Sequence, residues 1–255
     1  MGKKIIITSG PTNEQIDAVM KITNMSTGSL GSLIAETFLQ ERGDLIDKLY
    51  YLSPKLARKP AAASDKLELI TIESAEDLLE TLKKLLTCEH IDIVVHSAAV
   101  GDYKAKYTMR AEDLIDELVE KIPAMVVNGG VTKEALMSIF ENPEAVCSAE
   151  TKISSYEPHL MTMMTLTPKV IGSIKELSPD TQLVGCKLLK DVPKLKLYQA
   201  SSHLRKENRA DYIIANDLSN IGGGRHQAMI IGKDGVVKEC QTKADIAASL
   251  LHLLF

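Results

Sequence analysis

Lys4-Ile5-Ile6-Ile7-Thr8-Ser9-Gly10-Pro11 decides the fold. Three consecutive isoleucines leave no polar alternation, so both faces of this strand must be covered. That pattern belongs to a central strand of a parallel sheet, with helices packed on each side. Ser9-Gly10-Pro11 then stops the strand and turns the chain.

Working outward, strand and helix patterns alternate. Leu30, Leu33, Ile34 and Phe38 recur at helical spacing, and Gly43 closes that helix. Residues 48–52 and 67–72 read as strands. Residues 74–86 read as a helix: Ser74 caps it, Asp77 follows three residues on, and Leu78, Leu82 and Leu85 share a face. The pattern predicts further strands at 91–96, 182–186 and 212–215, and helices at 168–177, 194–206 and 242–254. Residues 229–231 and 236–239 flank Gly232-Lys233-Asp234-Gly235, a hairpin signal. This rhythm predicts an α/β fold with a Rossmann-like, doubly wound, mostly parallel sheet, helices on both faces and an edge hairpin. Residues 104–150 break the rhythm. They are charged and contain Pro123, Gly129-Gly130 and Pro143, with helical patterns at 113–122 and 133–140. We read them as a flap-like insertion on the sheet edge, within one domain spanning 1–255.

Composition narrows the function. The 255 residues suffice for one buried α/β core. A net charge of -4 argues against nucleic acid as the main ligand. No apolar run approaches the ~20 residues of a membrane helix, and no signal-peptide pattern opens the chain. Cys88, Cys147, Cys186 and Cys240 form no CxxC pair, which argues against a zinc knuckle and for free thiols in a reducing cytoplasm. The six histidines show no metal spacing, so no protein metal site is expected. With no Trp and only 3 Phe, a base-stacking surface is disfavoured.

Ligands of such sheets bind at the carboxyl ends of the strands. Five segments fall there: residues 8–14, 23–31, 97–103, 184–187 with 216–217, and Lys152-Ile153-Ser154-Ser155 beyond the insertion. The second, Thr23-Asn24-Met25-Ser26-Thr27-Gly28-Ser29-Leu30-Gly31, runs into a helix and could cradle a phosphate. The plainer alternative is that Ser26 or Thr27 only caps that helix. Asp102 could bind a ribose, a base or a hydrated metal, or lie solvated in a tight turn. Lys152 could stabilise developing negative charge or merely solvate the surface. Cys186 reads as a small buried hydrophobe. Tyr51 and Lys55 match a YxxxK spacing, yet Pro54 forbids the continuous helix that pair requires.

Taken in order, these segments resemble the phosphopantothenate–cysteine ligase family. Its pattern runs TSGGT, ISNxSSGxxG, AAVxDY, a KIxS segment, a VGF-type strand end and ANDxS. The chain offers Thr8-Ser9-Gly10-Pro11-Thr12, Ile22-Thr23-Asn24-Met25-Ser26-Thr27-Gly28-Ser29-Leu30-Gly31 and Ala98-Ala99-Val100-Gly101-Asp102-Tyr103. It then offers Lys152-Ile153-Ser154-Ser155, Val184-Gly185-Cys186-Lys187 and Ala215-Asn216-Asp217-Leu218-Ser219.

The resemblance implies a free-standing ligase that joins 4′-phosphopantothenate and cysteine through an acyl-nucleotide, using Mg²⁺ and CTP, with ATP as the alternative. It implies a homodimer whose sites are completed across subunits. It assigns Asn24 to the acyl-nucleotide and Lys152 to forming or breaking that intermediate. Ser26, Thr27 and Gly28 fall at the phosphates, Asp102 and Cys186 at the nucleoside, and Thr165, Leu166, Thr167 and Pro168 in a nucleotide-binding segment. Ala98 and Ala99 fall near phosphopantothenate. Gly10, Thr12, Lys187 and Asn216 complete the binding set, with Arg205 and Lys206 as the nearest basic residues before the 212–215 strand. Pro11, Ser29 and Cys186 depart from the usual Gly, Lys or Arg, and Phe. Two other readings are a catalytically silent nucleotide-binding protein on the same fold and an NAD(P)-dependent oxidoreductase. The latter lacks an intact glycine fingerprint.

Overall fold

A computed structural model describes residues 2–255. The chain runs through β1 (Lys3–Thr8), β2 (Asn13–Gln15), β3 (Lys21–Thr23), α1 (Ser29–Arg42), β4 (Ile46–Ser53), β5 (Leu67–Thr71), α2 (Ala75–Cys88) and β6 (Ile93–His96). It continues with β7 (Tyr103–Arg110), α3 (Ala111–Met125), α4 (Lys133–Glu141), β8 (Leu160–Leu166), α5 (Val170–Leu177) and β9 (Gln182–Leu189). It closes with α6 (Lys194–Glu207), β10 (Tyr212–Gly222), β11 (Arg225–Gly232), β12 (Gly235–Cys240) and α7 (Lys243–Leu254).

Two compact units result. The first holds the chain up to Thr12, Asn24–Val100 and Pro168–Phe255; the second holds Asn13–Thr23 and Gly101–Thr167.

In the first unit eight strands form one sheet in the order β12-β11-β10-β9-β6-β1-β4-β5. The six strands from β5 to β10 are parallel, and β11 and β12 add an antiparallel hairpin at the edge. The isoleucine run behaves as its pattern dictates. Ile5 and Ile7 face a core with Ile34 and Phe38 of α1 and Ile246 and Leu250 of α7. Ile6 faces the opposite core, with Leu78 and Leu82 of α2 and Val170 and Ile174 of α5. Ser74 caps α2 by accepting from the Asp77 amide, as its sequence predicts. Thr242 and Asp245 form a full capping box on α7.

Within the second unit, β7 and β8 pair antiparallel as a separate ribbon, and β2 pairs with β3. The expected helices at 113–122 and 133–140 appear as α3 and α4. The strands flanking them carry no long apolar run in the sequence. β7 alternates lysines with small and aromatic residues, and only its pairing with β8 makes it a strand. The ribbon forms a sheet of its own, and β5 and β12 are the edge strands of the main sheet.

The main sheet closes tightly at one point. A Cβ on Gly31 would lie 2.5 Å from Ser9 Oγ, 2.7 Å from Ser9 Cβ and 2.7 Å from Ser97 Oγ. Helix α1 therefore meets the ends of β1 and β6 through a bare backbone. Gly31→Ala is expected to cost about 1–3 kcal/mol by overpacking, read as a lower urea midpoint. His96 ends β6 fully enclosed, with Nδ1 2.9 Å from Thr8 Oγ1, and burial pushes its pKa down to about 4. The unfolded histidine protonates near 6.5 and the folded one resists, so stability is lost as pH falls through this window. Urea titrations at pH 7 and pH 5 are expected to differ by about 2 kcal/mol from this residue.

Candidate functional site

Strands β1 and β6 lie side by side, yet the chain leaves β1 toward β4 on one flank and reaches β9 beyond β6 on the other. This is the switch point of a doubly wound sheet, where the loops diverge and leave a crevice. Three predicted segments meet there. Ser97 donates from its amide (3.1 Å) and hydroxyl (2.7 Å) to the Thr8 carbonyl. The Ala98 amide donates to Thr8 Oγ1 at 3.2 Å, which leaves that hydroxyl to donate to His96 Nδ1. The Ala99 amide donates to the Gly10 carbonyl at 2.8 Å. The Ala99 carbonyl accepts from the Thr12 amide at 3.2 Å and from Asn24 Nδ2 at 3.0 Å.

Asn24 is exposed, and this bond ties its side-chain amide to the end of β6. Gly10 and Gly28 both adopt positive φ (79° and 76°), and Ser9 Oγ donates to the Gly28 carbonyl at 2.9 Å. A Cβ at Gly28 would stand 3.2 Å from the Gly10 amide nitrogen, so the two turns nest against each other.

Neither Ser26 nor Thr27 caps α1. Gly28 is the N-cap, no side chain caps the first turn, and that turn holds no acidic residue. Ser26 Oγ instead accepts from the Gly28 amide at 3.4 Å, and Thr27 Oγ1 donates to Ser29 Oγ at 3.1 Å. The uncapped N-terminus of a 14-residue helix carries a partial positive charge. Together with the small hydroxyls beside it, this end of α1 suits a phosphate.

Along the same carboxyl edge lie Cys186 and Lys187 in β9 and Asn216 in β10, with Ala215 in register with Lys187. Burial pushes the Cys186 thiol up to about 12, so it is no nucleophile at neutral pH. Asn216 Nδ2 lies 2.8 Å from His226 Nε2, and both side chains are buried. Asp217 is spent on structure: its carboxylate accepts from the Ser219 hydroxyl and from the Val192, Ser219 and Asp191 amides, which hold it well below the usual carboxylate range.

Arg205 and Lys206 are not brought to this edge. They end α6 and line a cavity of about 560 Å³ with Arg209, Tyr212 and Lys233, at the start of β10 and the β11–β12 turn. That is the amino edge of the sheet. Tyr51 of the YxxxK spacing is a buried core residue whose hydroxyl donates to the Arg58 carbonyl.

The second unit gathers two more predicted segments. Tyr103 pairs with Leu166 and Lys104 with Thr165. The Thr167 amide donates to the Asp102 carbonyl at 3.0 Å, and its hydroxyl donates to the Gly101 carbonyl. Asp102 and Thr165–Thr167 thus share one end of the ribbon, and Pro168 follows directly. Lys152 is exposed, beside buried Ile153.

Sequence reasoning missed what fixes this lysine's segment. Asp17 is almost fully enclosed; Oδ1 accepts from the Val19 and Met20 amides, and Oδ2 accepts from the Ile153 amide at 2.9 Å. These bonds, the Ile153 one foremost, and the Lys152 charge hold the Asp17 carboxyl below its usual range. Its only signal in the sequence is an acidic residue between two apolar ones. Among the described residues, no group of three or more His, Cys, Asp or Glu could hold a metal, and no helix is long and apolar enough to cross a membrane.

Comparisons with known proteins bear on the family and the fold. The family described as the DNA/pantothenate metabolism flavoprotein C-terminal domain matches residues 1–116. The chain is 27% identical over 250 residues to the coenzyme A biosynthesis bifunctional protein CoaBC of Thermococcus kodakarensis, covering 98% of this chain and 50% of that protein. It is 31% identical over 144 residues to CoaBC of Bacillus subtilis, covering 50% of this chain and 34% of that protein. The chain spans about half the length of the first of these relatives, and less of the second. Among solved structures it is similar to the DNA/pantothenate metabolism flavoprotein from Streptococcus pneumoniae, with 32% identity and a TM-score of 0.77 over 99% of this chain and 98% of that one. With the glycine turns, the α1 N-terminus and the switch-point crevice all in place, the chain belongs to the family of the DNA/pantothenate metabolism flavoprotein C-terminal domain, the phosphopantothenate–cysteine ligase family that its motifs resemble.

Proposed function

We propose that this chain joins the carboxyl group of 4′-phosphopantothenate to the amine of cysteine, driven by a nucleoside triphosphate, in coenzyme A biosynthesis. The observation that carries this reading is the interlock of residues 8–12, 24–29 and 97–99 at the switch point. The CoaBC relatives support it.

In the first step a carboxylate oxygen attacks the α-phosphate. A P–O bond forms, the bond to pyrophosphate breaks, and an acyl-nucleotide results. In the second step the cysteine amine attacks the acyl carbon. The C–N bond forms, the C–O bond to the nucleotide breaks, and the ammonium proton is lost. Both substrates of the first step are anionic, so the residues must offset repulsion and hold the reactants in line. The α1 N-terminus with Ser26, Thr27 and Gly28 receives phosphate oxygens. Asn24 Oδ1 and its remaining N–H bind the acyl-nucleotide. Lys152 offers charge to the intermediate, and Asp17 is the positioning residue that fixes its backbone.

The donor set suits a triphosphate that arrives as its Mg²⁺ complex, since Mg²⁺ is held largely by phosphates and water rather than by a protein cage. We take CTP as the preferred nucleotide and ATP as the alternative. A homodimer completes the reading, supported by the exposed apolar residues Tyr103, Leu160, Met161, Met164 and Leu166 along the β7–β8 ribbon.

Pyrophosphate release with 4′-phosphopantothenate, Mg²⁺ and each of CTP, ATP, GTP and UTP tests the reaction and its nucleotide together. An amide product is expected only when cysteine is added. Release with none of the four would leave a nucleotide-binding protein without the ligase activity. Asn24→Ala is expected to keep the unfolding midpoint of the parent and lose about 10²–10³ in turnover; unchanged turnover would remove Asn24 from the mechanism. Asp17→Asn turns an amide N–H toward backbone donors. It is expected to cost about 1–3 kcal/mol in stability and to lower kcat about tenfold or more, with little change in the KM for nucleotide. A loss confined to stability would make Asp17 structural only.

A further inference from the structure

Lys243 opens α7, and its Nζ donates to Ser29 Oγ, the first residue of α1, at 2.6 Å. This is the wrong charge for the place. Helix N-termini favour anions, and a cation there is opposed by the macrodipoles of both helices. Only one acidic side chain, Asp245, lies in the first turn of either helix. The first turn of α1 has no acidic residue, and Lys243 forms no ion pair with a carboxylate among the described residues. Asp245, two residues on, accepts from the Gln241 and Thr242 amides rather than from Lys243.

The neighbouring polar groups are incomplete too. Asn216 Oδ1 and His226 Nδ1 are buried without a hydrogen-bond partner. His226 is close enough to Lys243 for the ammonium to oppose its protonation, after burial has already lowered its pKa to about 4. His226 Nε2 accepts from Asn216 Nδ2, so the neutral ring carries its proton on the unpaired Nδ1; a buried donor without an acceptor, near an ammonium at a helix N-terminus, marks a place for an anion.

We infer that Lys243 is a phosphate ligand: it completes, from α7, the anion site at the α1 N-terminus and binds the polyphosphate of the nucleotide. The inference rests on the proposed nucleotide-dependent reading. It adds a residue that lies more than two hundred positions from the loop it serves. A lysine kept for structure would stabilise the ligand-free protein. A lysine kept for an anion would burden it.

The test uses the full chain, Lys243→Met and Lys243→Gln. Calorimetric titration with CTP, ATP, CMP and inorganic pyrophosphate is paired with thermal unfolding of the ligand-free proteins. The expected result is an affinity for the triphosphate and pyrophosphate weakened about tenfold or more, with CMP changed less than about threefold. The ligand-free melting temperature should be equal or higher in both variants. Unchanged triphosphate affinity, or a ligand-free melting temperature that drops in both variants, overturns the assignment. Pyrophosphate release in the parent protein reports separately on the ligase reading. If it is absent while binding still depends on Lys243, the ligase reading falls and the phosphate ligand stands. If the parent binds none of the four probes, both fall.

Discussion

The close approach of α1 to the ends of β1 and β6 is the constraint on which the first unit's site depends. Gly31 makes it possible, because any side chain there would overlap Ser9 and Ser97. Once the helix is that near, Ser9 reaches the Gly28 carbonyl, and the glycine turns at 10 and 28 nest. Asn24 is then carried to the Ala99 carbonyl. Each of these contacts is an ordinary hydrogen bond worth about 1 kcal/mol. What distinguishes them is that three stretches of chain share them, so no stretch can shift without the others.

The two edges of the sheet divide the charge. At the carboxyl edge the α1 N-terminus and Lys243 place positive charge, while the Asp217 carboxylate is held by the Ser219 hydroxyl and by backbone amides. At the amino edge, Arg205, Lys206, Arg209 and Lys233 surround a cavity in which Asp211 is already paired with Lys175. A chain of net charge -4 thus carries two local basic regions. Net charge spoke against a polyanion partner but not against phosphate-sized ligands, because a pocket's field depends on its nearest few groups.

Much of the first unit was legible in the sequence because its signals are local. Ile5-Ile6-Ile7 declares a strand buried on both faces, Ser74 and Thr242 declare helix starts, and Gly232-Lys233-Asp234-Gly235 declares a hairpin. The switch-point loops were legible as small and hydroxyl residues at strand ends. What escaped were features made by distant partners. β7 has no apolar run of its own, and its pairing with the methionine-rich β8 is made across fifty or more positions. Asp17 meets Ile153 across 136 positions, and Lys243 meets Ser29 across 214. No window of sequence contains both members of such a pair. Arg205 and Lys206 show a second limit: nearness to a strand in sequence says nothing of which edge of the sheet they occupy, and α6 delivers them to the amino edge.

The second unit is built from two separate stretches, one before α1 and one after β6. On a ribosome the 13–23 stretch emerges long before the segment that supplies Ile153. Until then the Asp17 carboxylate has no Ile153 amide to accept from, and the β2–β3 hairpin must wait in water. Strands β1, β4, β5 and β6 of the first unit are made before Ile153, whereas β9 to β12 are made only after the second unit's last residue, Thr167. Cutting the gene at any single point cannot free the second unit as an independent piece.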